Sequence, residues 1–97
     1  MTVYVMAQLR FKDRARYQRY QQRFMAVLRN YQGARLLIAD EAPEQLEGQW
    51  EYDKLVLLSF PDAATYRSWS ASPEYQEILV DRRAGADAVA LLVHGVG

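Results

Sequence analysis

The side chains best suited to chemistry lie in one short segment, Glu47-Gly48-Gln49-Trp50-Glu51-Tyr52. A carboxylate beside aromatic rings in a cleft can serve as a general base, and the rings can bury the apolar surface of a ligand. Glu47 is therefore the candidate catalytic residue, and Trp50 and Tyr52 are candidates for a ligand pocket. Two alternatives remain open: Glu47 is a solvated loop carboxylate, or Trp50 packs at the seam between two subunits.

A second pair of aromatic residues, Trp69 and Tyr75, flanks the dipeptide Ser72-Pro73. Serine followed by proline is typical of a helix start, because the serine caps the helix and proline needs no N–H at its first position. Trp69 and Tyr75 then fall on the buried sides of helices. They either fill the core or form the floor of a pocket whose rim is residues 47–52. Such a pocket would suit a small aromatic or carbonyl compound.

Metal and cofactor chemistry has little support in this sequence. There is no cysteine, and His94 is the one histidine. A zinc or iron site would need further ligands at suitable spacing, and none is evident. No phosphate-binding loop, nucleophile elbow or metalloprotease motif is present. We therefore expect no cofactor and no metal.

The hydrophobic periodicity predicts the elements that must position these residues. Apolar residues alternate in the first segment, which is typical of a strand, and then recur at spacings of three and four, which is typical of a helix. The predicted order is β-α-β-β-α-β, with strands over 2–11, 35–39, 54–60 and 88–96, helices after Asp13 and Asp62, and the second helix restarting at Ser72. This order predicts an α+β, ferredoxin-like domain over 1–97: a four-stranded antiparallel sheet with two helices on one face.

The strands predicted to be central are apolar on both faces. Helices can cover only one face of the sheet, and monomers rarely expose a large apolar patch. A second copy of the same sheet, related by a two-fold axis, is the simplest cover. The sequence therefore predicts a homodimer whose two sheets form a barrel-like core, with a monomer of unusually apolar surface as the alternative.

The charges and the composition bear on partners and location. Residues 1–35 carry eight basic side chains and one acidic one, but the net charge of the 97 residues is zero. The basic helix is thus offset by acids elsewhere, and the third strand lacks the exposed aromatic residues of an RNA-binding sheet. No nucleic-acid partner is expected. No apolar run reaches the roughly 20 residues of a membrane span, so no membrane partner is expected, and the lack of cysteine and of a signal peptide favours a cytoplasmic location.

Four segments together resemble the DUF1330 family. They are Tyr31-Gln32-Gly33, Leu46-Glu47-Gly48-Gln49-Trp50, Val56-Leu57-Leu58-Ser59-Phe60-Pro61-Asp62, and Trp69-Ser70-Ala71-Ser72-Pro73-Glu74-Tyr75-Gln76. The resemblance covers nearly the whole chain and implies a small dimeric α+β barrel of the ferredoxin-like type. Gln32 stands where the family more often has glycine. The family has no established activity, so the resemblance implies no catalytic residue.

Two classes of function therefore remain open. One is a small-molecule binding protein or cofactor-free enzyme, with its pocket between helices and sheet. The other is a structural or regulatory homodimer without chemistry. A deep pocket that contains tryptophan, tyrosine and a buried carboxylate favours the first class, whereas a filled core favours the second.

Overall fold

The computed structural model describes all 97 residues and has the predicted ferredoxin-like architecture. Four antiparallel strands form one open sheet in the order β2-β3-β1-β4, with the helices on one face. The elements in chain order are β1 (Val3–Phe11), α1 (Arg14–Leu28), β2 (Arg35–Asp40), β3 (Lys54–Phe60), α2 (Ala63–Ala71), α3 (Pro73–Gly85) and β4 (Ala86–His94). No helix is long and apolar enough to cross a membrane.

Each helix begins at the capping residue that the sequence predicts. The side chains of Asp13 and Asp62 accept hydrogen bonds from the backbone N–H groups of Arg16 and Thr65. Ser72 caps α3 in the same way, by accepting from the N–H of Tyr75. These bonds satisfy donors that have no partner within their own helix.

The second half of the chain has two helices, α2 and α3, where the sequence prediction counted one helix with a restart. Ser72 separates them because its backbone is extended, with φ −64° and ψ 146°. A residue before proline is disfavoured in the helical conformation, since the proline ring collides with its backbone. The break turns the chain so that Trp69 and Tyr75, on either side of it, stack with ring centroids 4.1 Å apart.

Strand register divides the sheet into two unlike faces. Val5 lies opposite Leu58 and Leu92, whereas the next residue, Met6, lies opposite Leu57 and Leu91. Neighbouring residues of a strand point to opposite faces, and directly paired residues share a face. The Val5 row faces the helices and forms the core, whereas the Met6 row lies on the open face.

The open face is apolar and uncovered in the single chain. Ile38, Val89 and Leu91 project from it and are 39%, 43% and 51% exposed. The sheet does not close on itself, so the barrel expected for the family needs a second sheet.

Gly85, the last residue of α3, provides a test of how closely α1 and α3 pack. A Cβ atom there would lie 2.4 Å from the backbone nitrogen of Tyr17, and the Gly85 carbonyl accepts from the N–H groups of Lys12 and Asp13. We expect Gly85→Ala to lower the free energy of unfolding by about 1–3 kcal/mol, because α1 and α3 must separate. Urea denaturation measures this loss. Gly97→Ala is the control, since a Cβ at Gly97 meets nothing within 4 Å; equal losses for both variants would contradict the close approach.

Candidate functional site

A cavity of about 540 Å³ lies between the sheet and the helices. Its floor comes from the helix-facing residues of β1 and β3, including Val5, Leu9, Val56 and Leu58. Helices α1, α2 and α3 supply the roof, and 17 of the 23 lining residues are hydrophobic. The core is therefore not completely filled, and the space is large enough for a small organic molecule.

Aromatic side chains form a continuous wall along the roof of this cavity. Ring centroids are 5.7 Å apart for Tyr17 and Tyr20, 6.2 Å for Tyr20 and Tyr75, and 4.1 Å for Tyr75 and Trp69. Phe24 joins the wall with its centroid 5.9 Å from that of Trp69. Offset and tilted rings of this kind pack well against one another and present flat apolar surfaces to a ligand.

The tyrosine hydroxyls in the wall are neutral. Burial raises the pKa of Tyr17 from 10.0 to about 12, and burial together with the nearby Tyr75 raises the pKa of Tyr20 well above 10.0. Burial also raises the pKa of Tyr75, although its hydrogen bond with Tyr20 opposes the change. The hydroxyl oxygens of Tyr20 and Tyr75 are 3.1 Å apart and form a hydrogen bond. These groups can donate to a ligand but do not act as bases near neutral pH.

Lys54 places an amine in this mainly apolar space. It is the first residue of β3 and is only 4% exposed. Its Nζ donates to the Oε1 of Gln21 at 3.2 Å and lies 4.9 Å from the centroid of the Tyr17 ring. Burial lowers the pKa of Lys54 from 10.5, while the negative charge of Glu41 opposes that change. A desolvated amine with a lowered pKa is a recognised feature of functional sites.

Trp69 contributes a second unusual group. It is 3% exposed, and its indole Nε1 has no hydrogen-bond partner. Buried donors in folded proteins nearly always have a partner, and where the protein supplies none, a water molecule or a ligand does.

The structure does not bring the four predicted aromatic residues into one cleft. Trp69 and Tyr75 line the cavity, as the pocket hypothesis requires. Trp50 lies on the other side of the sheet, where its Nε1 donates to the Oε1 of Gln8 at 2.8 Å. Tyr52 is beside it, with ring centroids 5.9 Å apart and the Arg10 guanidinium 5.5 Å from the Tyr52 centroid.

Glu47 is also remote from the cavity. It is exposed in the loop between β2 and β3 and is absent from the cavity lining. Its neighbour Gly48 has φ +71°, a conformation that glycine adopts without strain. The Gln45 side chain donates to the Gly48 carbonyl, so a tight turn explains this glycine.

Lys54 is the residue that the sequence analysis missed. A period-two count through β3 places it on the same face as Val56, Leu58 and Phe60, the face that packs against the helices. This pattern could have indicated a functional residue, because a lysine in a row of buried residues is rare unless it has a partner.

Comparison with known proteins identifies the family. The DUF1330 model, described as a domain of unknown function, matches residues 2–96, so the chain belongs to the DUF1330 family. No curated protein matches the sequence.

Solved structures confirm the fold. A protein of unknown function from Rhodopseudomonas palustris is similar at 16% identity and TM-score 0.83, over 99% of this chain and 83% of that one. SnoaB, a cofactor-independent oxygenase from Streptomyces nogalater, is similar at 14% identity and TM-score 0.70, over 99% and 94%. A dimeric ferredoxin-like protein of unknown function from Jannaschia sp. CCS1 is similar at 16% identity and TM-score 0.71, over 98% and 100%. At such identities the likeness establishes the fold alone.

The burial of Tyr17 predicts a loss of stability at alkaline pH. The folded protein holds the Tyr17 proton up to about pH 12, whereas the unfolded chain releases it near pH 10. The free energy of unfolding therefore falls as pH rises from 10 to 12, and Tyr17 contributes up to about 1.4 kcal/mol of this fall per pH unit. Urea denaturation from pH 8 to 12 should show a shallower fall for Tyr17→Phe than for the wild type. Tyr52→Phe, the same change on the opposite side of the sheet, is the control, and equal slopes for all three proteins would contradict this role.

Proposed function

We propose that this DUF1330 protein binds a small aromatic compound in the cavity between its sheet and its helices. The observation that carries the proposal is the cavity of about 540 Å³, walled by aromatic rings in edge-on and tilted contact and containing one buried amine. Ligand sites are typically cavities of roughly 300–1,000 Å³, mainly apolar, with a few polar groups that orient the ligand. The cavity has this size and this composition, although no aspartate or glutamate lines it, so the buried carboxylate expected for this class is not there.

The alternative, a dimer with no ligand, fits a filled core better, because protein interiors are closely packed and have few voids. An empty space of this size would forfeit many contacts between apolar side chains. A resident compound restores those contacts, and the flat faces of Tyr75 and Trp69 suit an aromatic ring.

Cofactor-free transformation of the bound compound is a second candidate. The buried amine of Lys54 favours it, because an amine in a cavity can exchange a proton with a ligand or react with a carbonyl group. SnoaB, described as a cofactor-independent oxygenase, has the same fold. Glu47 has no part in this proposal, since it does not line the cavity.

A cavity-filling substitution tests the binding proposal. Ala7 lines the cavity floor, whereas Ala71 is exposed at the end of α2 and outside the lining. We expect aromatic compounds to raise the melting temperature of the wild type and of Ala71→Phe. Ala7→Phe should lose at least about tenfold in affinity, because its ring occupies the ligand's space. Isothermal titration calorimetry gives the affinities, and native mass spectrometry of freshly purified protein shows any retained compound. Equal binding by all three proteins would place the ligand elsewhere.

We also propose that the protein is a homodimer joined through the open sheet face. The solved relative from Jannaschia is described as dimeric. The apolar side chains on this face of the chain lack cover, and a specific interface buries at least roughly 1,200 Å² in total. Trp50, bonded to Gln8 on this side of the sheet, then packs at the seam, which was one of its two predicted roles.

Glutamate substitutions test the dimer. Leu91 projects from the open face at 51% exposure, and Val80, on α3 and therefore on the helix side of the sheet, is 62% exposed. We expect Leu91→Glu to dissociate the dimer, because a carboxylate pair would be desolvated at the interface. Val80→Glu should leave the dimer intact. Light scattering at micromolar concentration distinguishes one chain of 11.2 kDa from two. A wild-type protein with the mass of one chain would refute the proposal.

A further inference from the structure

We propose that the aromatic ligand is an anion whose negatively charged oxygen binds at Lys54. This inference rests on the proposed binding function and specifies the chemical class of the ligand. The class is an aromatic ring that carries a carboxylate or a phenolate.

The charges around the cavity have one sign. Lys54, Arg82 and Arg83 are among its 23 lining residues, and no aspartate, glutamate or histidine is. Acids of α3 instead form ion pairs with arginines of α1, namely Arg16–Asp81 at 2.7 Å and Arg23–Glu77 at 3.1 Å. A cavity lined by one sign of charge has a potential that attracts the opposite sign.

Lys54 lacks the partners that a buried ammonium needs. The group has three N–H donors, and one hydrogen bond, to Gln21, is formed. Lys54 belongs to none of the six ion pairs, and the nearby Glu41 pairs with Arg14 instead, at 3.4 Å. A buried charge is costly unless it is paired, so an anionic oxygen is the partner that would complete this site.

The two ends of the cavity differ in polarity. Lys54 is the first residue of β3, and Trp69 lies near the end of that strand, beside Phe60. Tyr17 and Gln21 surround the Lys54 end, whereas Phe60 contacts Trp69 at the other, with centroids 5.3 Å apart. A ligand with a charged head and an aromatic body matches this polarity. The unpaired Nε1 of Trp69 then offers a hydrogen bond to a second oxygen at the far end of the ligand.

A panel of matched probes tests the charge requirement. The probes are 2-naphthoate, 4-nitrophenolate and the uncharged 2-naphthalenemethanol, titrated at pH 8 into the full-length protein by calorimetry. We expect the wild type to bind at least one of the two anions about tenfold or more tightly than the alcohol, as a charge-assisted bond would give. The naphthoate and nitrophenolate results distinguish a carboxylate site from a phenolate site.

The two lysines of the chain provide a matched pair of variants. Lys54→Met keeps the apolar stem and removes the charge, and Lys12→Met makes the same change at an exposed residue paired with Asp87. Lys54→Met should lose the preference for anions, keep its affinity for the alcohol within about threefold, and melt no lower than the wild type without ligand, because a desolvated charge is gone. Lys54→Arg should retain the preference, and Lys12→Met should match the wild type.

The outcomes separate this inference from the function on which it rests. If the alcohol binds the wild type as tightly as both anions, and Lys54→Met changes neither affinity, the anion site is wrong and the aromatic cavity stands. If no probe binds, and Ala7→Phe and the wild type behave alike, both proposals fail. Should Lys54→Met not fold, Lys54→Gln supplies an uncharged polar side chain, and an unchanged anion preference in that variant overturns the inference.

Discussion

The two-sided character of the sheet is the constraint on which the rest of the structure depends. Each strand of a sheet presents alternate residues to opposite faces, and one layer of helices covers a single face. In this chain both faces carry apolar rows, represented by Val5 with Leu58 and by Met6 with Leu57. The first row builds the core and the floor of the cavity. The second row remains open in the single chain, so the same alternation builds the core and leaves an apolar face without cover.

The cavity follows from how the helices cover the inner face. Helix α1 contacts α3 closely at Gly85, where no side chain separates the two backbones. The aromatic residues of the roof are large, and their rings pack against one another from Tyr17 to Trp69 instead of filling the space above β3. The result is a volume bounded by rings on one side and by small or aliphatic side chains, such as Ala7 and Val56, on the other. Rigid walls of this kind favour flat ligands because little ordering is needed on binding.

In the proposed binding site, Lys54 illustrates a conflict between stability and function. Removing an ammonium from water costs free energy, and a hydrogen bond to Gln21 with a cation–π contact to Tyr17 offsets only part of that cost. Residues with uncompensated charge commonly mark places where a protein gives up stability for binding. On the opposite side of the sheet, Trp50 shows the reverse case. Its N–H has a partner in Gln8, and its ring packs beside Tyr52, as expected of a structural residue.

The sequence determined the elements of this protein, because each depends on a few neighbouring residues. Asp13, Asp62 and Ser72 mark helix starts by bonds that span three residues, and the extended backbone that ends α2 is set by Ser72-Pro73. The alternation of residues along the chain predicted the strands. The order of the elements, together with the DUF1330 motifs, predicted the ferredoxin-like fold.

The site was decided by the tertiary structure. The loop that holds Trp50 and Tyr52 crosses to the open side of the sheet, and the length of the loop does not reveal this path. Trp50 and Tyr52 therefore lie on the opposite side of the sheet from Trp69 and Tyr75. Lys54 donates a hydrogen bond to Gln21, 33 positions earlier in the chain, and Tyr20 forms a hydrogen bond with Tyr75, 55 positions later. Contacts at such separations in the chain depend on how the helices pack against the sheet, and no local pattern of residues encodes that geometry.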